Sequence, residues 1–325
     1  MHPALSVIFL TTLIGAGQGI FLALYTAESY AVLKLVPMPE REFFVIGSLL
    51  SFLLLTAGLI ASFFHLGHPE RAWRSAARWR TSWLSREVIV LPAMMGAVIV
   101  YGLLHYLGWD LKKFSIETSV PGDLTLIVGA GGAAIAFLLF LCTGMIYACI
   151  KFLQEWATWL TPVNYTLLGT ASGFTMATLL ALWAAPELTR FFVVWAMILT
   201  AAGFVTRSIS LMRNKRIRYK STTQTAIGVR HTRIEQKSQG FMGGSFNTRE
   251  FFHGAAPWLF RPIKWLFLLT AFVLPLLLLG VALTHTSPAL LATAFLVQYA
   301  GLLAERWFFF AQANHPQNLY YQTIS

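Results

Sequence analysis

Long apolar runs alternate with short polar breaks along almost the whole chain. Each run is about long enough to cross a bilayer as a helix, which takes roughly 20 residues. Eight runs meet that length, at about 4–27, 43–65, 87–108, 124–150, 163–184, 188–212, 262–284 and 287–311. Only Ala185-Pro186-Glu187 separates the fifth from the sixth, so these two form a tight hairpin. The last pair, joined near Thr284-His285-Thr286-Ser287, does the same. The pattern predicts an all-α integral membrane protein, a bundle of about eight transmembrane helices. Small residues at Gly15, Gly17 and Gly19, and at Gly129, Gly131 and Gly132, allow close helix packing. The first apolar run has no basic n-region before it and no clear cleavage site, so it reads as a retained helix.

Composition supports this reading. Of 325 residues, 57% are hydrophobic and 11% charged, against about 25% charged in a soluble domain. Mean hydropathy is +0.64. The net charge of +11 would suggest nucleic acid in a soluble protein. Here the basic residues lie between apolar runs, and their distribution has a side. An even number of spans puts both termini on one face. That face receives 19 of the 24 Lys and Arg, including Arg71, Arg74, Arg78, Arg80, Arg86, Lys151 and the set from Arg207 to Lys264. The other face receives Lys34, Arg41, Lys112, Lys113 and Arg190. Positive charge stays on the cytoplasmic side, so both termini are expected there.

The organisation is a single membrane domain, 1–325, with one long basic cytoplasmic loop at 213–261. Phe241, Phe246, Phe251, Phe252 and Trp258 in that loop suit docking to a partner, while its charge alone suits anionic lipid.

Candidate chemistry is sparse. Cys142 and Cys149 are two helical turns apart, too far for a disulfide. Two thiols cannot carry an iron–sulfur cluster, and no pair of histidines faces across two spans to ligate haem. Neither cofactor, and no metal, is expected in this chain. What remains is the second loop, from His65 through His68, Arg71, Trp73 and Arg74 to Glu87. His65 closes the second span and Glu87 opens the third, so both lie near the same interface. A quinone needs an apolar slot, a hydrogen bond at its carbonyls, and a group that exchanges protons with water. Histidine titrates near neutrality, a carboxylate can relay its proton, and Arg71 can orient the carboxylate. Each also has a structural explanation: helix-dipole stabilisation for Glu87, an interfacial hydrogen bond for His65, and anchoring by Arg71, Arg74 and Trp73. Glu28, Glu305 and Arg306 are further charged candidates inside spans, for which a structural ion pair is the simpler account.

The run His65-Leu66-Gly67-x-Pro69-x-Arg71-Ala72, followed by Leu84-Ser85-x-Glu87, resembles the membrane anchor subunits of the dimethyl sulfoxide reductase type. The first helix, with Pro3 and Gln18-Gly19, is similar, as is the last, with Glu305-Arg306 before an aromatic run. That resemblance implies a complex of three subunits. A molybdopterin catalytic subunit passes electrons through an iron–sulfur subunit, and the anchor holds both and supplies a haem-free site for ubiquinone or menaquinone. The family's quinol-site histidine falls on His65, its essential carboxylate on Glu87, and a loop arginine on Arg71. The long sixth-to-seventh loop and the cytoplasmic face of the termini depart from the dimethyl sulfoxide reductases. Together with the tail from Asn314 to Tyr321 they resemble the sulfite dehydrogenase (quinone) branch. The expectation is a quinone-reducing anchor in the bacterial inner membrane, with catalytic partners in the cytoplasm. Two alternatives stand beside it. One is a quinol-oxidising anchor of a dimethyl sulfoxide or polysulfide reductase. The other is a transporter or proton-translocating protein, disfavoured by the scarcity of charges along the spans.

Overall fold

The computed structural model describes residues 5–109, 124–218, 222–231 and 257–313. Among the described residues, eight helical spans are long and apolar enough to cross a membrane. They are built from α1 (Leu5–Val32), α2 (Arg41–Phe63), α3 (Trp83–Leu107), α4 (Leu124–Ala148), α5 (Leu160–Ala184) and α6 (Thr189–Lys215). After a one-turn helix, α7 (Thr223–Ile227), come α8 (Pro257–Leu268) and α9 (Leu274–Ala282), which together make the seventh span. A π-helical turn at Leu269–Val273 joins them, and α10 (Pro288–Ala311) closes the bundle.

The spans agree with the hydropathy pattern to within a turn or so. The end of α1 differs by more than a turn, running on through Glu28 to Val32. A charged side chain ended the apolar run in the sequence, but the backbone continues because Glu28 is itself enclosed by neighbouring helices. α3 starts at Trp83, where Ser82 caps it by accepting from the Ser85 amide at 3.4 Å. It ends at Gly108, whose φ of 60° supplies the left-handed cap.

α1 occupies the centre. In its most apolar window 78% of residues are buried, against 33% in the last span. α2, α4, α5 and α10 surround it. The approach to α5 is the closest. Gly15 faces Gly169 and Gly19 faces Gly173, and a Cβ at Gly19 or Gly173 would run into the other helix's backbone. Small residues at such crossings let backbones meet and gain dispersion contact, the main attraction between helices in lipid. Gly17 turns to α2, where the Ser51 hydroxyl donates to its carbonyl at 2.8 Å. In α4, Gly129 packs on Tyr25 and Tyr101 and Gly132 on Phe21, whereas Gly131 faces open space and has no packing role. Both cysteines are free, Cys142 buried and Cys149 exposed.

Candidate functional site

The two ends of the bundle hold different polar clusters. At the end bearing the chain termini, the polypeptide between α2 and α3 forms a 3-10 helix, Pro69–Arg78, with no buried residue. Its charged side chains pair locally. His68 Nδ1 lies 3.1 Å from Glu70 Oε1 and Arg71 Nε lies 3.6 Å from the same atom. Arg74 stacks on the exposed Trp73 ring at 5.6 Å. Arg86 bonds the Trp79 and Arg80 carbonyls, both at 2.9 Å, and lies over Trp83. His65 is exposed at the end of α2. Partial desolvation there lowers its imidazole from the usual value, which favours the neutral ring.

Glu87 has the opposite environment. It sits in the first turns of α3 and is 8% exposed. The Thr143 hydroxyl of α4 donates to its Oε1. Among the described residues no lysine or arginine pairs with it. The structure therefore brings His65 and Glu87 to the same end of the bundle but not into contact. Arg71 stays on the exposed 3-10 helix beside Glu70, away from the carboxylate it was expected to organise.

A second cluster lies deeper at this end, where α5, α6 and α10 meet. Glu305 is fully buried between two arginines, with Oε1 2.6 Å from Arg207 Nε and Oε2 3.3 Å from Arg306 Nη1. Arg306 covers the Tyr165 ring at 3.7 Å. Asn164 donates to the Ser210 hydroxyl and accepts from Thr206, each at 2.8 Å. The Glu305–Arg306 ion pair is thus present, and Arg207 completes it. Counted in the sequence with the terminus-side basic residues, Arg207 is in fact enclosed within α6 at 2% exposure.

At the opposite end, α1 to α4 converge on Glu28. Tyr101 donates to its Oε2 at 2.7 Å and Thr125 to its Oε1 at 2.5 Å. His105 Nε2 stands 3.6 Å from Oε1, and its ring stacks on Phe44 at 4.1 Å. A cavity of about 160 Å³ opens beside this group, with Arg41 and Trp109 in its lining. Glu28 therefore belongs to a different site from His65 and Glu87.

Sequence reasoning missed the partners in these clusters. Tyr101 with His105, and Thr143 with Tyr147, each lie four residues apart in an apolar run. That spacing puts each pair on one helix face, and it was the available signal. The tail from Asn314 and most of the loop aromatics lie outside the described residues. Among the described residues no group of three His, Cys, Asp or Glu could hold a metal ion.

Eight apolar spans with buried ionisable clusters at both ends define a polytopic membrane protein. The family model for the DMSO reductase anchor subunit (DmsC) matches residues 1–321, and the chain belongs to that family. It is also 53% identical, over all 325 residues and the full length of both chains, to the C subunit of sulfite dehydrogenase from Allochromatium vinosum. The protein is a membrane anchor of this family, which implies catalytic partner subunits.

Proposed function

We propose that this chain anchors a sulfite dehydrogenase complex to the bacterial inner membrane and carries the site where electrons from sulfite reduce a quinone. A molybdopterin catalytic subunit and an iron–sulfur subunit dock on the face holding the termini, and the excess of basic residues on that face supports its lying in the cytoplasm. The observation that carries the quinone reading is Glu87: a carboxylate buried at that face, hydrogen-bonded by one hydroxyl and unpaired with any described cation. Such a group can take up and release a proton where a fixed ion pair cannot. The full-length likeness to a sulfite dehydrogenase subunit supports the choice of substrate.

Reduction of a quinone consumes two electrons and two protons. The electrons come from the partner subunits and the protons from the cytoplasmic face. His65 binds a quinone carbonyl and donates to it, and Glu87 passes on the second proton. Arg71, together with His68, Trp73 and Arg74, lines the polar entrance rather than contacting Glu87.

The test uses the complex purified through this chain. His65→Ala abolishes sulfite-driven reduction of a soluble quinone analogue while reduction of an artificial dye survives. Loss of both activities would make His65 an assembly residue. Turnover only with quinol and dimethyl sulfoxide would reverse the direction of electron flow.

A further inference from the structure

In the exposed loop His68, Glu70 and Arg71 pair with one another, and among the described residues none of its charged groups pairs with Glu87, so the loop shows no route for a proton to reach it. The interior offers one. Tyr147 is one turn beyond Thr143 on α4 and so lies on the same helix face as the hydroxyl that holds Glu87. Its ring stacks on Tyr165 with centroids 5.7 Å apart, and Trp156, Phe309 and Phe310 enclose it within 5.7 Å. Both tyrosine hydroxyls lie within electrostatic reach of the Glu87 carboxylate, and of each other. Beyond Tyr165 is a cavity of about 10 Å³, bordered by two carboxylates, Glu155 and Glu305, and by Thr158, Thr161, Asn164 and Arg207. That is the space of about one water, in a setting polar enough to hold it. Polar groups thus succeed one another through the interior: Glu87, Tyr147, Tyr165, a water-sized cavity, and the Arg207–Glu305–Arg306 cluster. Aromatic rings surround Tyr147, and polar side chains line the cavity.

We propose that Tyr147 and Tyr165 form a proton relay that resupplies Glu87 from this cavity at the cytoplasmic face. The inference rests on the reading of Glu87 as the carboxylate serving quinone. Each hydroxyl gives up one proton as it receives another, so the relay has no net change, and the proton ends on the reduced quinone. Neither tyrosine touches the quinone. They act through Glu87 as positioning residues, and the arginines fix the local charge so that the carboxylate receiving the proton is Glu87 and not Glu305.

Tyr147→Phe keeps the ring and removes the hydroxyl. In the intact complex it lowers kcat for quinone-analogue reduction by about tenfold or more, within the usual range for losing a proton-transfer group. KM for the quinone and dye activity stay the same, the solvent deuterium isotope effect rises, and the rate falls off at lower pH than in the parent complex. Tyr165→Phe gives the same signature and serves if the first variant is poorly stable. Unchanged kcat, isotope effect and pH profile in both variants would overturn the relay. If Glu87→Gln were inactive in that case, the quinone site would still stand. If Glu87→Gln kept full activity, the reading of the site itself would fall.

Discussion

Glu87 and Glu305 are buried at the same end of this bundle, and they are held in opposite ways. Glu305 lies between Arg207 and Arg306, which fix its charge. Glu87 has a single hydroxyl from Thr143 and no described cation. In a low-dielectric interior, an arginine clamp makes ionisation permanent, whereas one neutral donor leaves the proton exchangeable. The first arrangement ties helices together, and the second suits chemistry. The opposite end offers a third arrangement, in which Glu28 receives two hydroxyls and faces His105.

Substitutions sharpen this contrast. The largest loss of stability is expected for Glu305→Leu, which leaves two buried guanidiniums without their shared partner. Breaking a buried ion pair from one side costs about 3–5 kcal/mol, read as a large drop in thermal midpoint in detergent. Equal stability of variant and parent would mean that Glu305 is no clamp. Glu87→Gln should leave the midpoint almost unchanged and reduce quinone turnover by about 100-fold or more. A matching loss of stability would place Glu87 in the same structural class as Glu305. Tyr101→Phe removes one donor from Glu28 and should cost about 1–2 kcal/mol without altering quinone turnover, since that site is at the other face. Thr143→Val should cost about 0.6 kcal/mol, an average interhelical hydrogen bond in a membrane.

The smallest effect concerns His65. Its imidazole is lowered by partial desolvation, so the folded protein binds the proton less readily than the unfolded chain. The contribution to stability is present at neutral pH and is lost as the pH falls below the ordinary histidine range. Diethyl pyrocarbonate, which modifies the neutral ring, should still label His65 at a pH where a free imidazole is already protonated. Labelling that falls away with that of a free imidazole would remove the desolvation argument.

The bundle was legible in the sequence because a lipid-spanning helix must carry an unbroken apolar run, and eight such runs are present. The same logic explains the error at α1, where hydropathy treated Glu28 as a boundary although Tyr101 and Thr125 satisfy it inside. Glu87 and His65 stood out because they flank a loop. Arg207, Tyr147 and Tyr165 did not, since their importance lies in pairings between helices far apart in sequence, and spacing along one helix carries no record of its neighbours. Arg71 was legible as a residue but not as a position: a 3-10 helix with nothing buried turned it toward Glu70.

The central place of α1 bears on how the molecule is made. α1 is synthesised before α5 and α10, yet its tightest contact is the glycine seam with α5, and it also touches α10. Until those segments arrive, its Gly15 and Gly19 face can meet only lipid or the membrane-insertion machinery. The seam that centres the bundle therefore closes only when α5 is in the membrane, and the packing around α1 is complete only once α10 has joined it.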